Sequence, residues 1–190
     1  MFIIIPVRLL ILASESKRRV EILKMLGYSF FVIPSRIEEG YRQNPLIAAR
    51  RLAYQKAFKV WKEYKFSTVL GADTLVVLGE KILGKPKDEE QAKNMLRTLS
   101  GRWHKVITAV AILSPKGKIL FHDTAWVKFR KIDEGEIDEY IKTKEPLDKA
   151  GAYGVQGLGA KFVERIRGDF YTVMGLPASK TDRVLKFLLD

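Results

Sequence analysis

The sequence predicts an α/β fold in which a mixed, twisted β-sheet is flanked by helices. Apolar runs of strand length alternate with longer segments whose apolar residues recur at helical spacing. Two long consecutive strand patterns then predict a hairpin, which adds antiparallel pairing to a sheet that crossover helices would make parallel. The chain has 190 residues and is 47% hydrophobic, so we expect one domain over residues 1–190 with a sizeable core.

In the first half of the chain, short strands alternate with two helices. Glycine and proline mark the ends of the helices, as their backbone preferences predict. The predicted elements are, in order, a strand over 8–13, a helix with Ser14 as N-cap and a stop at Gly27, a strand over 30–33, a helix over 45–64, and a strand over 68–70 that ends in the Gly-Ala-Asp-Thr sequence of 71–74, with 75–78 continuing extended.

The second half contains the predicted hairpin and a glycine-rich loop. Asp88 is placed to cap a helix because acidic residues follow it in the first turn. The predicted elements are a helix from Asp88 to Leu99 with a stop at 100–101, paired strands over 106–113 and 119–129, a helix over 133–141, a structured loop over 145–160, a strand over 162–166 and a helix over 177–189.

Composition excludes several kinds of chemistry. The chain has no cysteine, so a disulfide framework, a thiol nucleophile and a cysteine-ligated zinc site are excluded. Its only histidines are His104 and His122, so a three-histidine metal site is excluded and a Ser-His-Asp triad must use one of them. The apolar start is interrupted by Pro6 and Arg8 and is shorter than a membrane span requires. We therefore expect a cytoplasmic protein without a membrane partner.

The formal net charge of +12 comes from 34 Lys and Arg against 22 Asp and Glu, and the basic excess lies in residues 1–130. Such a surface attracts phosphate groups of nucleic acid, of a membrane or of a free nucleotide. A merely solvated basic surface explains the charge equally well.

Four segments carry candidate site residues, and each also has an ordinary structural explanation. Residues 14–19 combine a helix start with two arginines and could cradle phosphate, or could be a capped helix with a solvated turn. Asp73 at a strand end could meet a metal or activate water, or could form a turn. Residues 84–86 present a lysine from a rigid turn or form a plain surface loop. The glycines of 145–157 let a ligand approach Gln156, whose amide could pair with a base edge or cap its own backbone.

The aromatic and histidine residues do not suggest a nucleic-acid site. Trp61, Trp103 and Trp126 are widely spaced in sequence and lack the basic–aromatic clustering of single-strand binders. We interpret them as core or rim residues, and His104 and His122 as structural or surface residues. Nucleic acid is therefore not the expected partner.

Taken together, the order and spacing of these segments resemble the Maf family of nucleoside triphosphate pyrophosphatases, from about Leu9 to the final helix. The resemblance is carried by residues 10–14 with Arg18 and Arg19, 71–74, 84–86, 99–101, 145–159 and 175–177. It implies an inosine-triphosphatase-like fold with two lobes around a cleft. It also implies hydrolysis of a nucleoside triphosphate to the monophosphate and pyrophosphate, with a divalent cation, Mg²⁺ or Mn²⁺, as cofactor.

Residue by residue, the resemblance implies a complete site. Asp73 matches the family's proton acceptor, and Glu38 and Asp73 are assigned to the metal. The phosphate-side residues are Ser14, Arg18, Arg19, Lys56 and Lys85. Arg18, Thr74 and Gln156 match the uracil/thymine branch, whereas the 7-methylguanine branch carries Trp, Gln and Glu there.

The resemblance thus implies a dTTP/UTP pyrophosphatase that cleans the nucleotide pool and could also take modified pyrimidine triphosphates. It allows a homodimer. The alternative is a non-catalytic basic module that binds nucleic acid or a cell-division partner. The chain departs from the family pattern at Lys17, Trp103 and Thr172, where Pro, a small polar residue and Asn are usual.

Overall fold

The computed structural model describes residues 9–38, 40 and 44–189, so Arg8, the predicted start of the first strand, lies outside the described residues. The strands are β1 (Leu10–Leu12), β2 (Phe31–Val32), β3 (Thr68–Leu78), β4 (Lys81–Leu83), β5 (Trp103–Ser114), β6 (Gly117–Phe129) and β7 (Val163–Arg167). The α-helices are α1 (Lys17–Met25), α2 (Pro45–Trp61), α3 (Glu89–Leu99), α4 (Glu134–Lys142), α5 (Phe170–Met174) and α6 (Ala178–Leu189).

All seven strands belong to one sheet in the order β2-β1-β3-β5-β6-β7, with β4 paired to β3. β1 is parallel to β2 and to β3, and every other pair is antiparallel. β5 and β6 form the predicted hairpin, which closes where Ser114 pairs with Gly117. The predicted mixed sheet flanked by helices is therefore confirmed.

The two faces of the sheet have separate hydrophobic cores. On one face α2 packs its alanines and Val60 against the sheet. On the other face α1, α3, α4 and α6 contribute to a larger core that includes Leu96 and Tyr140. Side chains alternate along β3, so Leu75 points to the α2 core and Val76 to the larger core. The same alternation places Asp73 on the α2 face and Thr74 on the opposite face.

Local capping determines where three of the helices begin. The Asn44 side chain accepts from the N–H of Leu46 at 3.0 Å, and Pro45 follows it at the start of α2. Asp88 caps α3, and Asp133 forms a capping box with Glu136 at the start of α4. Within the described residues, no helix is long and apolar enough to cross a membrane.

Two predicted boundaries are wrong. α1 begins at Lys17 with Ser16 as N-cap, and the Ser14 hydroxyl instead accepts from the guanidinium of Arg19 at 2.9 Å. Asp73 is not at a strand end, because β5 pairs with β3 from Val69 to Val77 and keeps this stretch extended. The short elements β4 and α5 were not predicted.

Gly71 explains how α2 comes close enough to β3 to reach Asp73. A Cβ at this position would lie 2.5 Å from the backbone nitrogen of Ala57 and 2.6 Å from the carbonyl oxygen of Ala53. Those atoms belong to the helix backbone and cannot turn aside. The glycine therefore permits close helix–strand packing, and no turn is needed to account for it.

We expect Gly71→Ala to lower the free energy of unfolding by about 2 kcal/mol or more, because α2 must move away from the sheet. The matched control is Gly117→Ala, since nothing lies within 4 Å of the added Cβ there. Urea denaturation of both variants measures the difference. Equal stability of the two variants would contradict the packing argument.

Candidate active site

A cleft of about 490 Å³ opens at one edge of β3. β1 pairs with β3 only as far as Leu70, and β4 rejoins the same edge at Val76. Between these positions no strand of the described residues covers the edge, and the chain leaving β1 turns away into α1. The cleft is lined by residues 13–19, 34–37, Lys56, Asp73, Thr74, Lys85 and 148–150.

The cleft brings together seven of the nine predicted site residues from distant parts of the chain. They are Ser14, Arg18, Arg19, Lys56, Asp73, Thr74 and Lys85. Glu38 and Gln156 are exposed and are not among the lining residues. The assignments of Glu38 to a metal and of Gln156 to a base stay predictions.

The centre of the cleft is a buried ion pair between α2 and β3. The ammonium of Lys56 lies 2.6 Å from Oδ1 of Asp73, and the two side chains are only 10% and 3% exposed. Removing one partner from such a pair leaves a buried charge uncompensated, which costs about 3–5 kcal/mol. The pair therefore fixes the position of the Asp73 carboxylate at the cleft.

Arg19 joins three parts of the fold beneath the cleft. Its Nε donates to the carbonyl of Gly175 at 2.9 Å, and its Nη2 donates to the hydroxyl of Thr74 at 3.1 Å. Thr108 donates to the carbonyl of Thr172 at 2.8 Å, so at the 3.0 Å contact Thr74 is the donor to Thr108. Arg19 thus orders α1, β3 and the end of α5.

Arg18 points toward the glycine-rich loop that follows α4. Burial lowers the pKa of its guanidinium, and the nearby Asp148, Tyr153, Tyr140 and Glu145 act in the opposite direction. Even so, an arginine stays charged at neutral pH. Arg18 therefore brings a cation to the junction between the cleft and this loop.

The loop is built around the carboxylate of Glu145. This carboxylate accepts from the backbone N–H of Leu158 at 2.9 Å, from that of Gly159 at 3.3 Å and from the hydroxyl of Tyr140 at 2.8 Å. A Cβ at Gly157 would overlap the same carboxylate. Some of the glycines that suggested ligand approach therefore make room for an internal side chain, a role that sequence reasoning missed.

Neither histidine lies in the cleft. His104 is fully buried, with its Nε2 2.8 Å from the Tyr153 hydroxyl, and burial lowers its pKa to about 4 against a smaller opposing effect from the backbone of Arg102. His122 lies next to Arg50, at 3.4 Å. A Ser-His-Asp triad in the cleft is therefore excluded, and both histidines are structural or surface residues as predicted.

The carboxylates that line the cleft are compatible with a divalent cation that the protein and its substrate bind together. Among the described residues no group of three or more acidic or histidine side chains is placed to hold a metal ion. The carboxylates that line the cleft are Glu15, Asp73 and Asp148. Mg²⁺ commonly binds through one or two carboxylates together with substrate phosphates. The cleft fits that mode better than a closed site made of protein ligands alone.

Glu145 makes a pH-dependent contribution to the order of its loop. Burial raises its pKa, but the hydrogen bonds from Leu158, Tyr140 and Gly159 outweigh burial, and the net pKa is lowered. Because its pKa is lower in the folded chain, the stabilisation is present above the ordinary glutamate pKa. It is lost as pH falls through the folded value.

We expect Glu145→Gln to raise amide exchange at Leu158 and Gly159 about tenfold or more at neutral pH, because charge-assisted hydrogen bonds are removed. In the wild type the protection should disappear on acidification, and in the variant it should not depend on pH in that range. Hydrogen exchange, corrected for intrinsic rates, measures both. The control is Glu164→Gln, an exposed carboxylate on β7. Unchanged protection in Glu145→Gln would refute the assigned role.

Comparisons with known proteins match the chain to one family. The Maf-like protein family matches residues 9–188. The chain is 55% identical over 179 residues to the dTTP/UTP pyrophosphatase of Aquifex aeolicus (strain VF5), covering 94% of each. It is 51% identical over 181 residues to the dTTP/UTP pyrophosphatase of Geobacillus sp. (strain WCH70), covering 94% of this chain and 97% of the relative.

A solved structure confirms the fold. The Staphylococcus aureus Ham1 protein superimposes with a TM-score of 0.52 at 14% sequence identity, covering 94% of this chain and 98% of that chain. At this identity the likeness concerns the fold alone, and it agrees with the predicted inosine-triphosphatase-like arrangement. Because the family match extends over nearly the whole chain, the predicted resemblance is confirmed: the chain belongs to the Maf family.

Proposed function

We propose that this chain hydrolyses dTTP and UTP at the α–β phosphoanhydride and releases the nucleoside monophosphate and pyrophosphate. The observation that carries the proposal is the cleft, in which the Lys56–Asp73 ion pair lies among basic side chains. Relatives that are 51–55% identical are named dTTP/UTP pyrophosphatases, and this supports the same reaction class here.

The charge of the cleft suits a triphosphate. Its cationic residues are Lys17, Arg18, Arg19, Arg36, Lys56, Lys85 and Lys149, and its acidic residues are Glu15, Asp73 and Asp148. Among the described residues that line the cleft, seven cations therefore outnumber three carboxylates, and this positive excess complements the negative charge of a triphosphate. Four of these seven cations, Arg18, Arg19, Lys56 and Lys85, are predicted phosphate-side residues. Arg19 acts mainly by ordering the groups to which it donates hydrogen bonds.

Asp73 is the proposed general base. The ion pair with Lys56 orients its carboxylate, which takes a proton from a water as the water oxygen attacks the α-phosphorus. The bond from that phosphorus to the bridging oxygen breaks, and pyrophosphate leaves. A divalent cation, Mg²⁺ or Mn²⁺, held by Asp73 and by the predicted ligand Glu38, would neutralise phosphate charge in this site.

The nucleobase of the substrate is the proposed ligand of Gln156. The Gln156 amide offers a donor and an acceptor, which complement the carbonyl and the N–H that uracil and thymine expose side by side. Glu145 holds the loop just after Gln156 through the N–H groups of Leu158 and Gly159, and Arg18 lies near the Glu145 carboxylate. Thr74 is bonded to Arg19 and Thr108, so we infer that it influences recognition through Arg19.

We place this activity in the cytoplasm. Its proposed role is to remove unwanted pyrimidine nucleoside triphosphates, including modified ones. One domain over residues 1–190 would carry this activity, and a homodimer stays a prediction.

A nucleotide panel assayed with Mg²⁺ or Mn²⁺, with product analysis, tests the proposal. We expect dTTP and UTP to be preferred and pyrophosphate to be the product. Asp73→Asn should lower kcat about 10²–10⁴-fold, the range for loss of a general base. The matched control is Asp138→Asn, whose ion pair with Lys93 has the same 2.6 Å length but is only half-buried and lies outside the cleft.

In the same panel Gln156→Glu should reduce the preference for dTTP and UTP about tenfold, because the amide donor is removed. Gln55→Glu, on the exposed side of α2, is its control. Full activity of Asp73→Asn, or orthophosphate as the product, would refute the mechanism. An unchanged base preference in Gln156→Glu would refute the recognition role alone.

A further inference from the structure

One end of the sheet presents tryptophans and cations together on the face that α2 covers elsewhere. These residues come from three adjacent strands, and strand pairing makes them neighbours. They are Trp103 and Lys105 of β5, Trp126 and Lys128 of β6, and Arg165 and Arg167 of β7, here called the basic–aromatic face. Trp103 and Trp126 therefore do lie in a basic–aromatic cluster, which their spacing in the sequence did not predict.

The register of the strands produces the clustering. Trp103 pairs with Lys128 and Lys105 pairs with Trp126 across β5 and β6, so aromatic and cationic side chains alternate on one face. Arg167 pairs with Trp126 across β6 and β7. Directly opposed side chains on a sheet lie about 5 Å apart at Cβ, which is contact distance for these long residues.

The cations lie over the indole rings. Nζ of Lys105 is 5.1 Å from the ring centre of Trp126, and the guanidinium of Arg167 is 4.7 Å from that of Trp103. These cation–π contacts hold the charged groups next to the indole rings. The face is thus an ordered array.

The face is accessible and positively charged. Trp126 is 44% exposed, and Arg165 and Arg167 are also exposed. All four charged residues of the face are cations, and within the described chain none of them forms an ion pair with a carboxylate. A ligand with spaced negative charges and flat apolar groups would complement this arrangement.

The face is separate from the cleft. None of its six residues lines the cleft. α2 lies over β6 where Lys118 stands 5.1 Å from the ring of Trp61 and where Arg50 contacts His122. Trp126 follows His122 by four residues along the strand, beyond these contacts, and is exposed.

We propose that the basic–aromatic face binds single-stranded nucleic acid. Bases would stack on the exposed ring of Trp126, while Lys105, Arg165 and Arg167 neutralise phosphates. Stacking on an aromatic ring tolerates any base, and a duplex cannot offer its base faces to the rings. Indole rings interleaved with cations on an open sheet therefore favour a single strand over a duplex.

The test uses the full chain and fluorescein-labelled 12-mers of oligo(U) and oligo(dT), with binding followed by anisotropy across a salt series. We expect Trp126→Leu to weaken binding about tenfold, in line with the removal of one stacked base. The double variant Lys105→Gln and Arg167→Gln should also weaken binding. It should reduce the slope of log K against the logarithm of salt concentration by about 0.7 for each phosphate that it no longer neutralises.

The charge-matched control is Lys62→Gln with Lys65→Gln, two exposed lysines after α2. It should change affinity less than twofold, and the melting midpoints and pyrophosphatase activity of all variants should match the wild type. The proposal is overturned if the control weakens binding as much as Lys105→Gln with Arg167→Gln, because the net charge alone would then explain it. It is also overturned if Trp126→Leu has no effect, if a 12-base-pair duplex binds as tightly, or if anionic lipid vesicles bind through this face while the oligonucleotides do not.

Discussion

The buried ion pair between Lys56 and Asp73 is the interaction on which the rest of the cleft depends. Two charges removed from water are stabilised only if they lie close together and are held there, because each alone would be costly to bury. The chain meets this condition by placing α2 directly on β3, at the glycine that lets the two backbones touch. The carboxylate therefore reaches the cleft already oriented, and the cations around it can act on phosphate.

Two other charged side chains near this pair order the backbone that forms the site. Arg19 connects α1, β3 and the residue after α5, and Glu145 gathers the N–H groups of the loop that carries Gln156. Because such residues act inside the protein, they determine where the ligand-facing residues lie. Arg19 thus orders the walls of the cleft at α1 and β3, and Glu145 orders the loop at its side.

Much of this could be predicted from sequence where the signals are local. Asn44, Asp88 and Asp133 cap helices through contacts within a few residues, and the starts of these three helices agree with the predicted ones. The continuity of β3 through Asp73 could not be predicted in this way, because it depends on pairing with β5. The ordering role of Glu145 and the meeting of Trp103 with Trp126 also depend on tertiary contacts or strand register. For the site, the resemblance supplied residues that the isolated motifs left undecided.

In the proposed reaction, water attacks the α-phosphorus of a pyrimidine nucleoside triphosphate while Asp73 takes its proton. Hydrolysis of dTTP in ¹⁸O-labelled water, with mass spectrometry of the products, distinguishes the possible points of attack. Attack at the α-phosphorus places the label in dTMP and leaves pyrophosphate unlabelled. Label in pyrophosphate would show attack at the β-phosphorus, and labelled orthophosphate would show attack at the γ-phosphorus; either result would refute the proposed reaction.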